Sequence, residues 1–150
     1  MPSIEEEIKQ KVFKSIYQKA NINLVYTTGW LQTHQNEIFR PFGITLPQFN
    51  ILRILRGQHP QPASINLLID RMLDKTSNAS RIVDKLETKG LVTRTPSVND
   101  RRTVDVTINP AGLELLQRLD EKADELSGGL KNLTPEEAVE LNRILDKIRD

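Results

Sequence analysis

The stretch SNASRIVDKLETKGLVTRTPSVNDRRTVDVTI, residues 77–108, holds in order a basic amphipathic segment, a glycine, a β-prone run, a charged tip and a second run of alternating polarity. From Thr76 to Lys89 the apolar residues Ala79, Ile82, Val83 and Leu86 fall at i, i+3, i+4 and i+7, which predicts a helix with one buried stripe. The opposite side carries Ser77, Asn78, Ser80, Arg81, Asp84, Lys85 and Thr88. Gly90 supplies the stop, at the position where a left-handed residue ends helices. Leu91 to Thr95 then reads as a strand, Pro96 to Arg102 as a turn, and Thr103 to Ile108 as a returning strand. Val104, Val106 and Ile108 share one face of that strand; Thr103, Asp105 and Thr107 share the other. No core can bury Arg101 and Arg102 at a hairpin tip, so both face solvent or a polyanion.

A helix bearing short hydrogen-bonding side chains near its N-terminus and cations further along suits the major groove, where first turns meet base edges and Arg or Lys meets phosphate. An arginine at a hairpin tip suits the narrow, electronegative minor groove. Upstream, Pro60 and Pro62 break a helix, Ser64 can cap the next, and Ile65, Leu68, Ile69 and Met72 give it an apolar face. A brief turn at residues 73–75 leads into the basic helix, which is helix-turn-helix spacing. The expected fold is mainly α with a small β-hairpin wing: a winged helix-turn-helix with N- and C-terminal helical arms. Taken alone, the basic helix is equally an ordinary amphipathic helix with a solvated charged face; the hairpin that follows favours DNA.

On three motifs the chain resembles the MarR family of transcription factors: FGITLPQF at 42–49, SRIVDKLETKGLV at 80–92 and NDRR at 99–102. The resemblance implies that Arg102 is the wing arginine entering the minor groove and that Asp100 orients it by a charge-assisted hydrogen bond. The candidate DNA-binding residues are therefore Thr76, Ser77, Asn78, Ser80, Arg81, Lys85, Lys89, Arg94, Asp100, Arg101 and Arg102. The resemblance further implies double-stranded DNA as partner, a homodimer formed by the terminal helices, and more often repression than activation. Paired heads about 34 Å apart would require a pseudopalindromic operator. A winged-helix protein-interaction module without DNA readout is the alternative. It would be expected to lack the cations at 81, 85, 89, 94, 101 and 102, all of which this chain has.

The formal net charge is only +1 over 150 residues, but it is unevenly spread. Residues 71–103 hold eight Lys/Arg against four Asp/Glu, whereas residues 111–150 hold six against ten. That distribution places the positive field on the reading segment. Cysteine is absent, which excludes disulfides, thiolate zinc sites and thiol-based redox sensing. No basic region followed by an apolar run occurs at the N-terminus, and no segment nears about 18 consecutive apolar residues, so no membrane association and a cytoplasmic location are expected.

The ends of the chain are helical in pattern. Residues 8–40 are read as one helix apart from Gly29, with Val12, Ile16, Ala20, Val25 and Leu31 along it. Thr45 and Gln48 form a capping box for a helix over 46–57 with Phe49, Leu52 and Leu55 inward. Asn109 caps and Pro110 opens a helix to about Ser127, ended by Gly128-Gly129. Thr134 and Glu137 box the last helix, with Ala138, Leu141, Leu145 and Ile148 inward. The whole of 1–150 is expected to be one domain, its winged helix-turn-helix over about 45–108 and its dimerisation region over about 4–40 and 109–150. Where arm meets head, the family resemblance implies an effector pocket for a small aromatic or phenolic ligand. Trp30, His34, Phe39 and Phe49 are the candidates, against the favoured reading that the aromatics are core or dimer contacts and His34 a polar surface residue.

No catalytic constellation is legible. His34 and His59 are the only histidines, and neither HExxH, a phosphate loop nor GxSxG accompanies them. Asp120, Glu121, Asp124 and Glu125 are expected to form a solvated helix face rather than a metal site. Neither an enzyme activity, a metal nor a cofactor is expected.

Overall fold

A computed structural model describes residues 1–150. In chain order the elements are α1 (Ile4–Glu7), α2 (Ile16–Phe39), a 3-10 turn (Arg40–Phe42), α3 (Leu46–Gln58), β1 (Ala63–Ser64), α4 (Ile65–Arg71), α5 (Ala79–Thr88), β2 (Val92–Pro96), β3 (Val104–Ile108), α6 (Pro110–Asp120), α7 (Ala123–Leu126), a second 3-10 turn (Gly128–Asn132) and α8 (Pro135–Ile148). They form two compact units. The head is Asn36–Ser127; the arm unit is Met1–Gln35 together with Gly128–Asp150.

At the centre of the head lies α3. Its Ile51, Leu52, Ile54 and Leu55 are buried among Leu68 and Met72 beside α4, Val83 and Leu86 of α5, Val106 and Ile108 of β3, and Leu115, Leu116 and Leu119 of α6. The helix is enclosed on more sides than the inward set Phe49, Leu52 and Leu55 implies: Phe49 is only partly covered, and the polar Gln48 and Asn50 are buried with it. The expected capping box is present, Thr45 accepting from the Gln48 N–H and Gln48 from the Thr45 N–H. Ser64 caps α4 through the Leu67 N–H at 3.1 Å. On α4, Leu68 is enclosed while Ile69 is exposed, so the apolar face expected there is narrower.

Three antiparallel strands run in the order β1-β3-β2. The hairpin pairs Val92 with Ile108 and Pro96 with Val104, and β1 adds Ala63 opposite Val106. Gly112 in the first turns of α6 sits against the hairpin's base, so close that a Cβ there would lie 2.6 Å from the Leu91 carbonyl oxygen. Asn109 occupies the N-cap position of α6, but its side chain does not cap it. The amide instead donates to the Gly90 carbonyl at 3.1 Å, and its oxygen accepts from the Thr93 hydroxyl.

Two long helices expected from the sequence are interrupted. The segment from Ile8 to Arg40 contains no helix until Ile16, which then runs straight through Gly29. The earlier turn α1 closes in a Schellman arrangement, Lys9 at φ 55° and the Gln10 N–H donating to the Glu5 carbonyl at 3.0 Å. Ser15 starts α2 by accepting from the Gln18 N–H at 3.1 Å, while Gln18 accepts from the Lys14 N–H. Likewise the helix expected over 110–127 stops at Asp120, restarting at Ala123. The acids Asp120, Glu121, Asp124 and Glu125 are exposed, as expected of a solvated face, but divided between the end of α6 and α7, with Asp120 paired to Arg56 at 2.9 Å and Glu125 to Lys122 at 3.4 Å.

In the arm unit Ile4 alone among apolar residues is buried. Lys19 pairs with Glu5, which lowers the Glu5 pKa, and the Tyr26 hydroxyl donates to Glu7 at 2.7 Å, which raises that of the phenol. Val12, Ile16, Tyr17, Val25, Trp30, Val139 and Ile148 remain exposed. Thr134 and Glu137 form the expected capping box of α8. No helix is long and apolar enough to cross a membrane.

Candidate nucleic-acid interface

The reading helix starts with its hydrophobic stripe at Ala79, three residues later than the expected Thr76. Asn78 is the N-cap, its side chain accepting from the Arg81 N–H at 3.1 Å, and the first helical residue is Ala79. Thr76 and Ser77 therefore belong to the preceding turn, where Asp74 gathers them. Its Oδ1 accepts from the Thr76 N–H at 2.9 Å and the Thr76 hydroxyl at 2.6 Å, and its Oδ2 from the Ser77 hydroxyl at 3.0 Å. The Thr76 side chain above all, then the Thr76 backbone and Ser77, hold the Asp74 carboxyl below the ordinary aspartate range. Ser80, Arg81 and Lys85 project outward from α5, whose Ala79, Val83 and Leu86 are buried beneath. Gly90, at φ 74°, takes the left-handed position that ends the helix, and the Leu91 N–H donates to the Leu86 carbonyl at 3.0 Å.

The candidate cations divide into engaged and unengaged. Arg94 on β2 pairs with Asp84 of α5, and its backbone N–H donates to Glu87 at 3.1 Å, which ties the wing's first strand to the reading helix. Lys89 donates to the Gly43 carbonyl and to Gln48 Oε1 at 3.0 Å, which ties the end of α5 to the start of α3. Arg81, Lys85, Arg101 and Arg102 make no side-chain bond within the chain and are exposed. Asp100 accepts from the backbone N–H of Arg102 at 2.9 Å, rather than from its guanidinium as expected. The acid thus shapes the tip through the main chain, together with the Thr103 N–H donating to the Asp100 carbonyl and the Ser97 N–H to the Thr103 carbonyl, each at 3.0 Å.

The four aromatic candidates form two pairs, one in each unit. Phe39 is fully buried in the head's core and stacks on Phe49 with ring centroids 4.7 Å apart. Trp30 and His34 lie parallel in the arm unit at 5.8 Å, beside Gly129 and Gly128 respectively.

Asn50 and Asp74 were not among the sequence candidates. Asn50 Oδ1 accepts from the Leu73 N–H at 2.9 Å, and its Nδ2 is buried without a partner. For Asn50 the sequence holds no distinguishing signal, since its helix also carries Gln48, Arg53, Arg56 and Gln58; for Asp74 the signal was the run Asp-x-Thr-Ser ahead of a helix.

A helix-turn-helix with a basic second helix, followed by a hairpin carrying two free arginines, defines the reading head of a winged-helix transcriptional regulator. The comparisons agree. The MarR family model matches residues 44–104. A MarR transcription factor from Planctomyces limnophilus is 33% identical, with 90% of this chain and 98% of that one aligned and a TM-score of 0.69. The transcriptional repressor IacR of Pseudomonas putida is 28% identical over 121 residues, 80% of this chain and 71% of its own. BpsR of Bordetella bronchiseptica, whose DNA binding is regulated by 6-hydroxynicotinic acid, has the same fold at 22% identity, a TM-score of 0.77, and 93% and 99% of the two chains covered. The chain belongs to the MarR family and is a transcriptional regulator, not an enzyme.

Proposed function

We propose that two copies of this chain join through their arm units and grip a pseudopalindromic duplex, each placing α5 in a major groove and its wing in the flanking minor groove. The observation that carries this reading is the distribution of free cations. Arg81 and Lys85 on the helix and Arg101 and Arg102 at the tip are unengaged, while the other two candidate cations brace the head. Placed so, they meet phosphates and the minor groove without first breaking internal bonds. Exposed Val12, Ile16, Tyr17, Val25 and Ile148 support the dimer, because apolar surface gathered on one unit favours burial against a second copy.

Repression is the proposed outcome, supported by the likeness to IacR. Release by a small aromatic or phenolic effector is supported by the likeness to BpsR. Such an effector acts only if it favours one arrangement of the two heads over another; tightness alone shifts nothing. The site of action is the cytoplasm, where operator DNA is accessible. Selection of bound sequences from a random duplex pool, with and without a panel of small aromatic acids, tests all of this together. A two-fold symmetric enriched sequence is expected. Failure to enrich any sequence at low ionic strength would overturn the reading.

A further inference from the structure

Two features of the turn between α4 and α5 are unfavourable taken singly. Asp74 is an exposed carboxylate with no ion pair, on the face that the function proposed above turns toward phosphates. Asn50, 4% exposed, leaves its Nδ2 unpartnered inside the head, which costs the desolvation of that group. Each is explained by what its oxygens hold. Asn50 fixes the main chain at Leu73, one residue ahead of Asp74, and Asp74 in turn fixes Thr76 and Ser77.

The chemistry of that second step has a consequence for readout. An ionised carboxylate only accepts hydrogen bonds, so the single protons of the Thr76 and Ser77 hydroxyls are both committed to Asp74. What the two hydroxyls can offer outward is lone pairs alone. In the major groove an acceptor pairs with the amino groups of adenine or cytosine and is repelled by the keto oxygens of guanine or thymine. Left to itself a hydroxyl rotates and tolerates both.

We propose that Asp74, seated by Asn50, is a positioning residue that sets the hydrogen-bond polarity of the reading surface: it turns Thr76 and Ser77 into obligate acceptors that select A or C over G or T on the strand they face. The inference rests on the DNA-reading function proposed above. It also makes a prediction opposite to simple electrostatics, under which losing a negative charge near phosphate would tighten every duplex alike.

The test is parallel selection from one random duplex pool with the full-length wild type, Asp74→Ala, Asp74→Asn and Thr76→Val, followed by titration of the enriched duplex and of a scrambled duplex of equal composition. Wild type is expected to enrich A or C at one or two steps per half-site by about tenfold. In Asp74→Ala that preference collapses at those steps only, while affinity for the scrambled duplex is unchanged or higher. Asp74→Asn, whose amide can donate to Ser77, relaxes the preference partly. Thr76→Val, which carries no hydroxyl, loses it at one step without altering surface charge. Identical enriched bases for wild type and Asp74→Ala would overturn the proposal, as would an equal weakening on both duplexes, the mark of a merely structural role. A wild type that enriches nothing overturns the DNA-reading function itself, and this proposal with it.

Discussion

The head and the arm unit are built from the same kinds of amphipathic helix, yet one closes its core and the other does not. Every buried apolar side chain except Ile4 belongs to the head, where α3 is surrounded by α4, α5, α6 and the sheet. Along the 24 residues of α2, Phe39 at the very end is the single buried residue. A helix gains most of its stability from packing a face. The difference teaches that the head is folded by its own contacts, whereas the arm leaves its apolar residues exposed, the surface on which the second copy proposed above would dock.

Substitutions can break this contrast. The largest effect is expected from Leu52→Ala in the head, a loss of about 2–5 kcal/mol in denaturant melts, since a fully enclosed leucine leaves a cavity. A loss near zero would mean that the head's core is not the stabilising element. Next comes Arg102→Ala, expected to weaken duplex binding by about 1–3 kcal/mol with the melting transition unmoved; titration against the enriched duplex decides it. Val25→Asp on the arm is expected to weaken self-association by about tenfold, a charge having been placed on a face that must lose water. Sedimentation showing unaltered association would leave that face to solvent. The smallest effect separates two lysines of one helix. Lys85→Gln should lower the slope of log affinity against log salt by about one if, as proposed, its free ammonium meets a phosphate. Lys89→Gln should leave the slope closer to wild type, its ammonium being spent on Gly43 and Gln48.

Periodicity made the head legible. The stripe Ala79, Val83 and Leu86 and the alternation through Val106 and Ile108 depend on one face being buried, and both faces are. The capping boxes at Thr45 and Thr134 were equally legible, because they are local pairs at fixed spacing. The start of α2 was written in the same code, Ser15 with Gln18 three residues on, but scattered apolar residues from Val12 onward masked it. Strand β1, two residues long, offers no alternation and exists only because β3 lies beside it. The division of the cations was likewise invisible: composition counts Arg94 and Lys89 with the rest, and only tertiary neighbours show that Asp84 and Gln48 occupy them. Asp74 was hidden for a related reason, since propensity placed Thr76 inside the helix and left the acid outside with nothing to do.

Gly112 governs how far the wing can be tuned. The main chain at Leu91 and the side chain of Ile108 occupy the space where a methyl would go, both under 3 Å from it. Even alanine there must lever the hairpin root away from α6, and a displacement at the root is magnified at the arginine-bearing tip. Engineers who wish to retarget this regulator therefore have latitude at the loop's extremity and almost none at its hinge, where a missing side chain is what fixes the aim.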